Sequence, residues 1–152
     1  GGGFPVGACL AREKVARALT AGSHGSTFGG NPLAMAVGNA VLDILLADGF
    51  LSNVERMGKL LRARLEDLVR RHPRVLDSVR GLGLMLGLRC VVPNTEMQAR
   101  LRENGLLTVG AGDNVVRILP PLIVEERHVD EAIGIIEETC KVWPRVAAEG
   151  AA

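Results

Sequence analysis

The segment from His24 to Leu33 limits the possible folds of this chain more than any other, because it sets two hydroxyls among three glycines directly before a helix start. Glycine lets backbone N–H groups turn toward one point, and a helix N-terminus adds a partial positive charge. Ser26 and Thr27 add hydroxyl donors. This combination is typical of a phosphate-binding loop. The same residue types also form ordinary surface turns, so the spacing alone leaves both interpretations open.

The composition of the 152 residues is that of an ordinary globular chain, with 47% hydrophobic and 23% charged residues. Eighteen lysines and arginines are interspersed with seventeen acidic residues, which argues against a nucleic-acid surface. Aromatic residues make up only 3%, so the stacking platforms of single-stranded nucleic-acid binders are missing. The core must therefore be aliphatic.

Cysteine placement and one long uncharged run indicate the protein's environment. Cys9, Cys90 and Cys140 are widely separated, which argues against a disulfide framework or a zinc site and favours a reducing cytoplasm. The three histidines lack metal-ligand spacing, so we expect no metal. The uncharged run 18–42 is long enough to span a membrane but is rich in glycine and polar residues. We expect neither a membrane segment nor a signal peptide.

Start signals and hydrophobic spacing predict two helices in the first half. Asn31 followed by Pro32 predicts a capped helix that ends at 48–49 and packs closely against other backbone. Ser52 and Glu55 have the spacing of a capping box for a second helix. The apolar stripe of the first helix is Leu33, Val37, Ala40, Val41, Ile44 and Leu45, and that of the second is Val54, Met57, Leu61, Leu65 and Leu68.

Alternating apolar residues predict four strands in the second half, at 75–79, 84–92, 106–109 and 115–119. In the second strand one face is formed by Leu84, Leu86, Leu88 and Cys90. Thr95 and Gln98 predict another capping box and a short helix. A last helix is expected from Glu125 to Pro144.

Four segments of the chain together resemble one enzyme family, the class III, fold-type-I aminotransferases that use pyridoxal 5'-phosphate. They follow in the family's order and are Gly1–Ala8, His24–Leu33, Arg80–Gly87 and Gly112–Leu122. Glycines 81, 83 and 87 do not form a dinucleotide-binding motif, because the residues after Gly83 alternate like a strand.

The order of elements and the resemblance together predict an α/β fold. Residues 46–146 are expected to form the C-terminal small domain of such an aminotransferase, a mainly antiparallel sheet covered by helices. Residues 1–45 would be a remnant of the large cofactor-binding domain with its linking helix. Residues 147–152 are expected to be a frayed tail.

The resemblance places the catalytic lysine outside this sequence. In the family, the Schiff-base lysine precedes the glycines of the first motif, so it would lie three residues upstream of Gly1. Lys14, Lys59 and Lys141 have charged or polar neighbours, which does not favour a desolvated lysine. We therefore expect a C-terminal fragment of a longer enzyme, with no catalytic residue of its own and little or no activity.

The resemblance also assigns binding residues. Thr27 would bind the cofactor phosphate of the neighbouring subunit across a homodimer interface, and Ser26 would line the substrate pocket. Arg117 would lie near the substrate carboxylate or pair with a glutamate that gates it; the strand alternation alone equally allows a solvent-exposed arginine.

The sequence of the motif at 112–122 resembles most the family members that transfer the terminal amino group of N-acetylornithine to 2-oxoglutarate in arginine biosynthesis. Related members act on ornithine, succinylornithine or 4-aminobutyrate. A different hypothesis is a stand-alone, non-catalytic module that dimerises or docks on a homologue. A fragment would leave Val6, Ala8, Leu10 and Phe28 uncovered, whereas a true module would cover them.

Overall fold

A computed structural model describes residues 1–144, which divide into two compact units, 1–51 and the part that begins at Ser52. The expected tail at 147–152 lies outside the described residues. The expected domain boundary at 45–46 stays a prediction. Among residues 1–144, no single helix is long and apolar enough to cross a membrane.

The first unit contains the helices α1, Glu13–Ala16, and α2, Pro32–Leu45. The predicted start of α2 is confirmed, because the Asn31 side chain accepts a hydrogen bond from the Ala34 N–H at 2.9 Å. Of the residues of α2, only Ala34 is buried. Of the predicted apolar stripe, Leu33 and Ile44 are more than half exposed, whereas Val37, Val41 and Leu45 are half-buried.

The second unit is a four-stranded antiparallel sheet with helices. Its elements are α3 (Phe50–Arg71, which begins at the end of the first unit), β1 (Leu76–Leu82), β2 (Met85–Cys90), α4 (Asn94–Glu103), β3 (Val109–Ala111), β4 (Val115–Ile118) and α5 (Glu126–Lys141). The strand order is β1-β2-β4-β3, and each neighbouring pair is antiparallel. The predicted antiparallel sheet covered by helices is confirmed.

Two predicted capping boxes are wrong. Helix α3 begins at Phe50, so Ser52 lies inside it. Helix α4 begins at Asn94, whose N–H donates to the side-chain oxygen of Asn114 at 2.8 Å, so the first turn is capped from another part of the chain and not by Thr95. The last helix follows its prediction more closely, because Glu125 is its N-cap residue; the Glu125 N–H donates to Nδ1 of His128 at 3.1 Å.

One face of the sheet forms an aliphatic core with α3, α4 and α5, as the composition predicted. The alternation of β2 is confirmed, because Leu84, Leu86, Leu88 and Cys90 are all buried. They join the stripe of α3, with Met57, Leu61, Leu65 and Leu68, and the stripe of α5, with Val129, Ile133, Ile136 and Cys140, in a single cluster.

The opposite face of the sheet, here called the open face, is formed by the alternate residues of the same strands. Arg80, Met85, Arg89, Val109 and Arg117 lie on it and are exposed. None of its residues belongs to the described core cluster. The sheet therefore has one apolar, covered face and one face that is rich in arginine.

Helix α3 approaches the turn between β1 and β2 closely, and glycine makes this approach possible. A Cβ atom added to Gly58 would lie 2.9 Å from the carbonyl carbon and oxygen of Gly83. Arg62 in the same helix donates to the carbonyl oxygen of Gly81 at 2.6 Å. Gly81 has φ +114°, and a Cβ there would lie 2.1 Å from the carbonyl oxygen of Met85.

We predict opposite effects of the same substitution at two mid-helix glycines. Gly58→Ala should lower the free energy of unfolding by about 1–3 kcal/mol, because the added methyl group overlaps the Gly83 backbone. Gly134→Ala in α5 should raise it by about 0.5–1 kcal/mol, because that position is open and alanine favours the helix. Urea unfolding followed by circular dichroism measures both. Equal effects would contradict the close approach.

Candidate functional site

The first two motifs meet in the first unit around one cleft. The cleft has a volume of about 490 Å³ and is lined by residues 4–7 on one side and by Ser26, Phe28 and the start of α2 on the other. Gly2 and Gly3 have φ of 61° and 107°, and a Cβ on Gly2 would lie 2.9 Å from Val41. The glycine run thus turns against α2 at a point where a side chain would not fit.

The loop before α2 is held by its own short side chains. Ser26 Oγ accepts the N–H of Gly29 at 2.9 Å, and the Asn31 side chain donates to the carbonyl oxygen of Phe28 at 2.7 Å. Gly30 has φ 72°, in the left-handed region that favours glycine. These contacts fix the loop against the N-terminus of α2, where the helix dipole favours a negatively charged group.

Thr27 and Ser26 are placed differently by this loop. Ser26 lines the cleft, and Thr27 does not. Thr27 is exposed, and within residues 1–144 neither its hydroxyl nor its N–H has a hydrogen-bond partner. A phosphate needs unpaired donors of this kind near a helix N-terminus, so the residues present fit the phosphate of pyridoxal phosphate.

Arg117 lies on the open face of the second unit. It is opposite Gly87 of β2 and Val109 of β3, and its guanidinium has no hydrogen-bond or ion-pair partner among residues 1–144. The exposed position agrees with the strand alternation, and the missing partner leaves the charge available to a ligand.

Arg80 is a neighbour of Arg117 that the sequence analysis missed. Both arginines line a shallow cleft of about 540 Å³ on the open face. Arg80 is opposite Gly87 on the side of β2 away from Arg117. The alternation within the strands assigns Arg80 to one face of the sheet. Its proximity to Arg117 follows only when the strand order is known, because the two arginines are 37 residues apart in sequence.

The remaining reactive side chains are the possible metal ligands and the buried cysteines. Among residues 1–144, no group of three His, Cys, Asp or Glu side chains could hold a metal ion. Burial raises the pKa of the Cys90 thiol to about 11 and that of the Cys140 thiol to about 12. Both thiols lie in the core cluster, so they are poor nucleophiles at neutral pH.

Residues 1–140 match the class-III aminotransferase family, and the chain belongs to this family. The cofactor that aminotransferases of this class use is pyridoxal phosphate, in agreement with the loop described above. The fold agrees as well, since solved aminotransferases share it with this chain.

Individual relatives are similar over most of the chain. The acetylornithine aminotransferase of Brucella melitensis is 56% identical over 137 residues, which are 90% of this chain and 34% of that protein. The solved ornithine δ-aminotransferase of Plasmodium falciparum superposes with a TM-score of 0.77 at 33% identity, covering 87% of this chain and 35% of its own. The solved acetylornithine aminotransferase of Elizabethkingia anophelis gives 0.76 at 33% identity, covering 88% and 36%. The chain thus spans about a third of the length of these relatives.

We predict that the three thiols differ in reactivity in the native protein. Cys9 is exposed, whereas Cys90 and Cys140 are buried. A pKa raised from 9.0 to about 11 reduces the thiolate fraction of Cys90 about 100-fold at pH 8, before burial slows access further. A maleimide should therefore label one site quickly, and peptide mass spectrometry should identify it as Cys9. Similar labelling rates at all three sites without denaturant would contradict the burial of the other two.

Proposed function

We propose that this chain is the C-terminal part of a pyridoxal-phosphate-dependent aminotransferase that transfers the terminal amino group of N-acetylornithine to 2-oxoglutarate in arginine biosynthesis, in the cytoplasm. The observation that carries the proposal is the 56% identity over 90% of the chain with an acetylornithine aminotransferase. The P. falciparum structure is named for ornithine, so ornithine is the competing amino donor.

Thr27 is the proposed phosphate ligand. Its hydroxyl and N–H are unpaired within residues 1–144 and lie just before the N-terminus of α2. Hydrogen bonds to a doubly charged phosphate are roughly twice as strong as neutral ones. In the proposed homodimer Thr27 binds the phosphate of the neighbouring subunit's site. The cofactor, when bound, supplies the electron sink for the amino transfer.

Ser26 and Arg117 are the proposed substrate-binding residues. Ser26 lines the cleft of the first unit through a hydroxyl that already accepts the Gly29 N–H, so its own proton is free to be donated. Arg117 presents an unpaired guanidinium, whose planar shape matches a carboxylate. Both residues bind and orient the substrate and exchange no proton with it.

The isolated chain should lack activity, because none of its lysines has the environment of a base. Lys59 pairs with Glu55 at 2.6 Å, and Lys141 pairs with Glu138 at 2.8 Å. Lys14 is exposed. A lysine that takes part in amino transfer is desolvated by burial or lies beside another cation, whereas Lys59 and Lys141 lie exposed beside carboxylates.

Exposed apolar residues of the first unit support a longer enzyme over a stand-alone module. Leu10 is 97% exposed and Phe28 is 81% exposed. Ala8 is exposed as well, whereas Val6 is half-buried. Large apolar side chains this exposed favour a further part of the protein that covers them.

A chimera tests the proposed activity. Residues 1–144 replace the matching segment of the B. melitensis enzyme, with that enzyme as the control. The chimera should bind pyridoxal phosphate and convert N-acetylornithine with 2-oxoglutarate at a rate within about tenfold of the parent, because tenfold corresponds to only about 1.4 kcal/mol of the barrier. A folded, dimeric chimera that binds the cofactor but prefers ornithine would contradict the proposed donor, and one that does not bind the cofactor would contradict the proposed function.

Substitution at Thr27 tests the phosphate ligand in the same chimera. Thr27→Ala should weaken cofactor retention at least about tenfold, since a charge-assisted hydrogen bond is lost, and Thr27→Ser should retain it. Thr20→Ala is the matched control, because the contacts of Thr20 with Ser23 use its backbone oxygen. Dialysis followed by visible absorbance measures retention. Equal retention in Thr27→Ala and Thr20→Ala would overturn the assignment.

A further inference from the structure

One asparagine in the sequence is followed by glycine, Asn104 before Gly105, and the pair lies at the C-terminus of α4. In such a dipeptide the backbone nitrogen of the second residue can attack the side-chain amide of the first, since glycine has no Cβ atom to hinder the approach. The attack converts asparagine to an acid without an enzyme. Asn104 is exposed, so water has access to it.

The backbone around this dipeptide is fixed by a Schellman motif, the pair of hydrogen bonds that commonly ends a helix. The Leu106 N–H donates to the carbonyl oxygen of Leu101 at 2.8 Å, and the Gly105 N–H donates to that of Arg102 at 3.0 Å. Gly105 has φ 90°, in the left-handed region that favours glycine. The nitrogen that would attack therefore takes part in a hydrogen bond, which must break before the nitrogen can react.

The same motif holds the attacking nitrogen on the wrong side of Asn104. The ψ angle of Asn104 is 9°, so the Gly105 nitrogen is nearly eclipsed with the backbone nitrogen of Asn104. A five-membered ring through the side chain needs the Gly105 nitrogen eclipsed with Cβ instead. Ring closure therefore requires a large rotation about ψ, and this rotation breaks the Schellman motif.

The side chain of Asn104 is held by a contact between α4 and α5. Its Nδ2 donates to Oγ1 of Thr139 at 3.0 Å. Thr139 is fully buried, and its own hydroxyl proton is donated to the carbonyl oxygen of Ile135 at 2.8 Å. The Thr139 oxygen thus serves Asn104 as an acceptor and keeps the amide group against α5, away from the Gly105 nitrogen.

We propose that Asn104 is a site of spontaneous deamidation that the fold protects, because the Schellman motif holds the attacking nitrogen and Thr139 holds the amide. In the reaction the Gly105 nitrogen gives its proton to solvent and bonds to Cγ of Asn104, while the Cγ–Nδ2 bond breaks and the side-chain nitrogen takes up a proton and leaves as ammonia. Water then opens the cyclic imide at either carbonyl and gives aspartate or isoaspartate. This inference does not depend on the proposed function.

Conversion prevents the original contact from forming again. A carboxylate at position 104 has no N–H to donate, so the Thr139 hydroxyl would have to turn from Ile135 toward it. The new negative charge lies beside Glu103 at the C-terminus of α4, where the helix dipole disfavours it. Isoaspartate also lengthens the backbone, which the Schellman motif does not fit. The modification should therefore accumulate in chains whose α4–α5 contact has opened.

Peptide mass spectrometry of the complete 152-residue chain, incubated at mildly alkaline pH, measures the conversion. The native protein is compared with the same protein in urea. Asn104 should convert at least about tenfold more slowly in the native protein, because two hydrogen bonds must open first. Asn39 is the internal control, since it is exposed but is followed by alanine. In urea it should convert much more slowly than Asn104.

Three variants test the role of Thr139 in the native chain. Thr139→Val replaces the hydroxyl with a methyl group and should speed the conversion of Asn104 several-fold, whereas Thr139→Ser keeps the acceptor and should leave the rate within about twofold. Gly58→Ala is the matched control, because it lowers stability through the Gly83 backbone and leaves the α4–α5 contact intact. It should also leave the rate within about twofold. Circular dichroism verifies that each variant is folded.

The outcomes separate the site, its protection and the role of Thr139. Slow native conversion that only Thr139→Val speeds up supports the proposal. Conversion of the native chain as fast as in urea overturns the protection, and equal rates at Asn104 and Asn39 in urea overturn the site. An unchanged rate in folded Thr139→Val, or an equal increase in Gly58→Ala, overturns the role of Thr139. The comparison of native chain with urea needs no variant, so it decides on the protection even if Thr139→Val does not fold.

Discussion

The one-sided burial of the four-stranded sheet is the constraint on which the second unit depends. Leu86 and Leu88 of β2 point into the aliphatic core with α3, α4 and α5, so the intervening residues must point to the other side. A one-residue slip of register would exchange the two faces and place arginines in the core. Core packing thus determines that Arg80 and Arg117 share the open face, on either side of a strand that contains glycine between them.

The one-sided burial of the sheet also explains how the same short strands can contribute both to the core and to a candidate binding site. The buried residues make the core, while the exposed residues of β1, β2 and β4 carry charges, of which the Arg117 guanidinium has no partner among residues 1–144. The close approach of Gly58 to Gly83 fixes the turn that joins β1 to β2, and this turn keeps Arg80 in register with Gly87. The loop before α2 in the first unit is instead held by hydrogen bonds of its own side chains, Ser26 and Asn31.

Much of the fold could be predicted from the sequence, since the spacing of apolar residues shows which face of a helix or strand is buried in the core. The stripe of α3 and the alternation from Leu84 to Cys90 were predicted correctly for this reason. The predicted start of α4 was wrong because Asn114, twenty residues along the chain, caps its first turn. Local spacing contains no information on such a partner. Helix α2 was predicted correctly as a helix, because helicity is a local property; the expected close packing of its apolar stripe stays a prediction, because burial depends on what lies against the helix.

The residues of the candidate site likewise divide into those set by local sequence, which could be predicted, and those that depend on distant parts of the chain. Ser26 and Thr27 could be singled out because their loop is continuous in sequence, whereas Arg80 required the strand order. A crystal structure of the chimera with 2-oxoglutarate bound tests the role of Arg117 most directly. We expect a carboxylate of the ligand on the open face, hydrogen-bonded to the Arg117 guanidinium. A ligand bound with Arg117 turned away into solvent, and with its carboxylates held only by other parts of the enzyme, would contradict it.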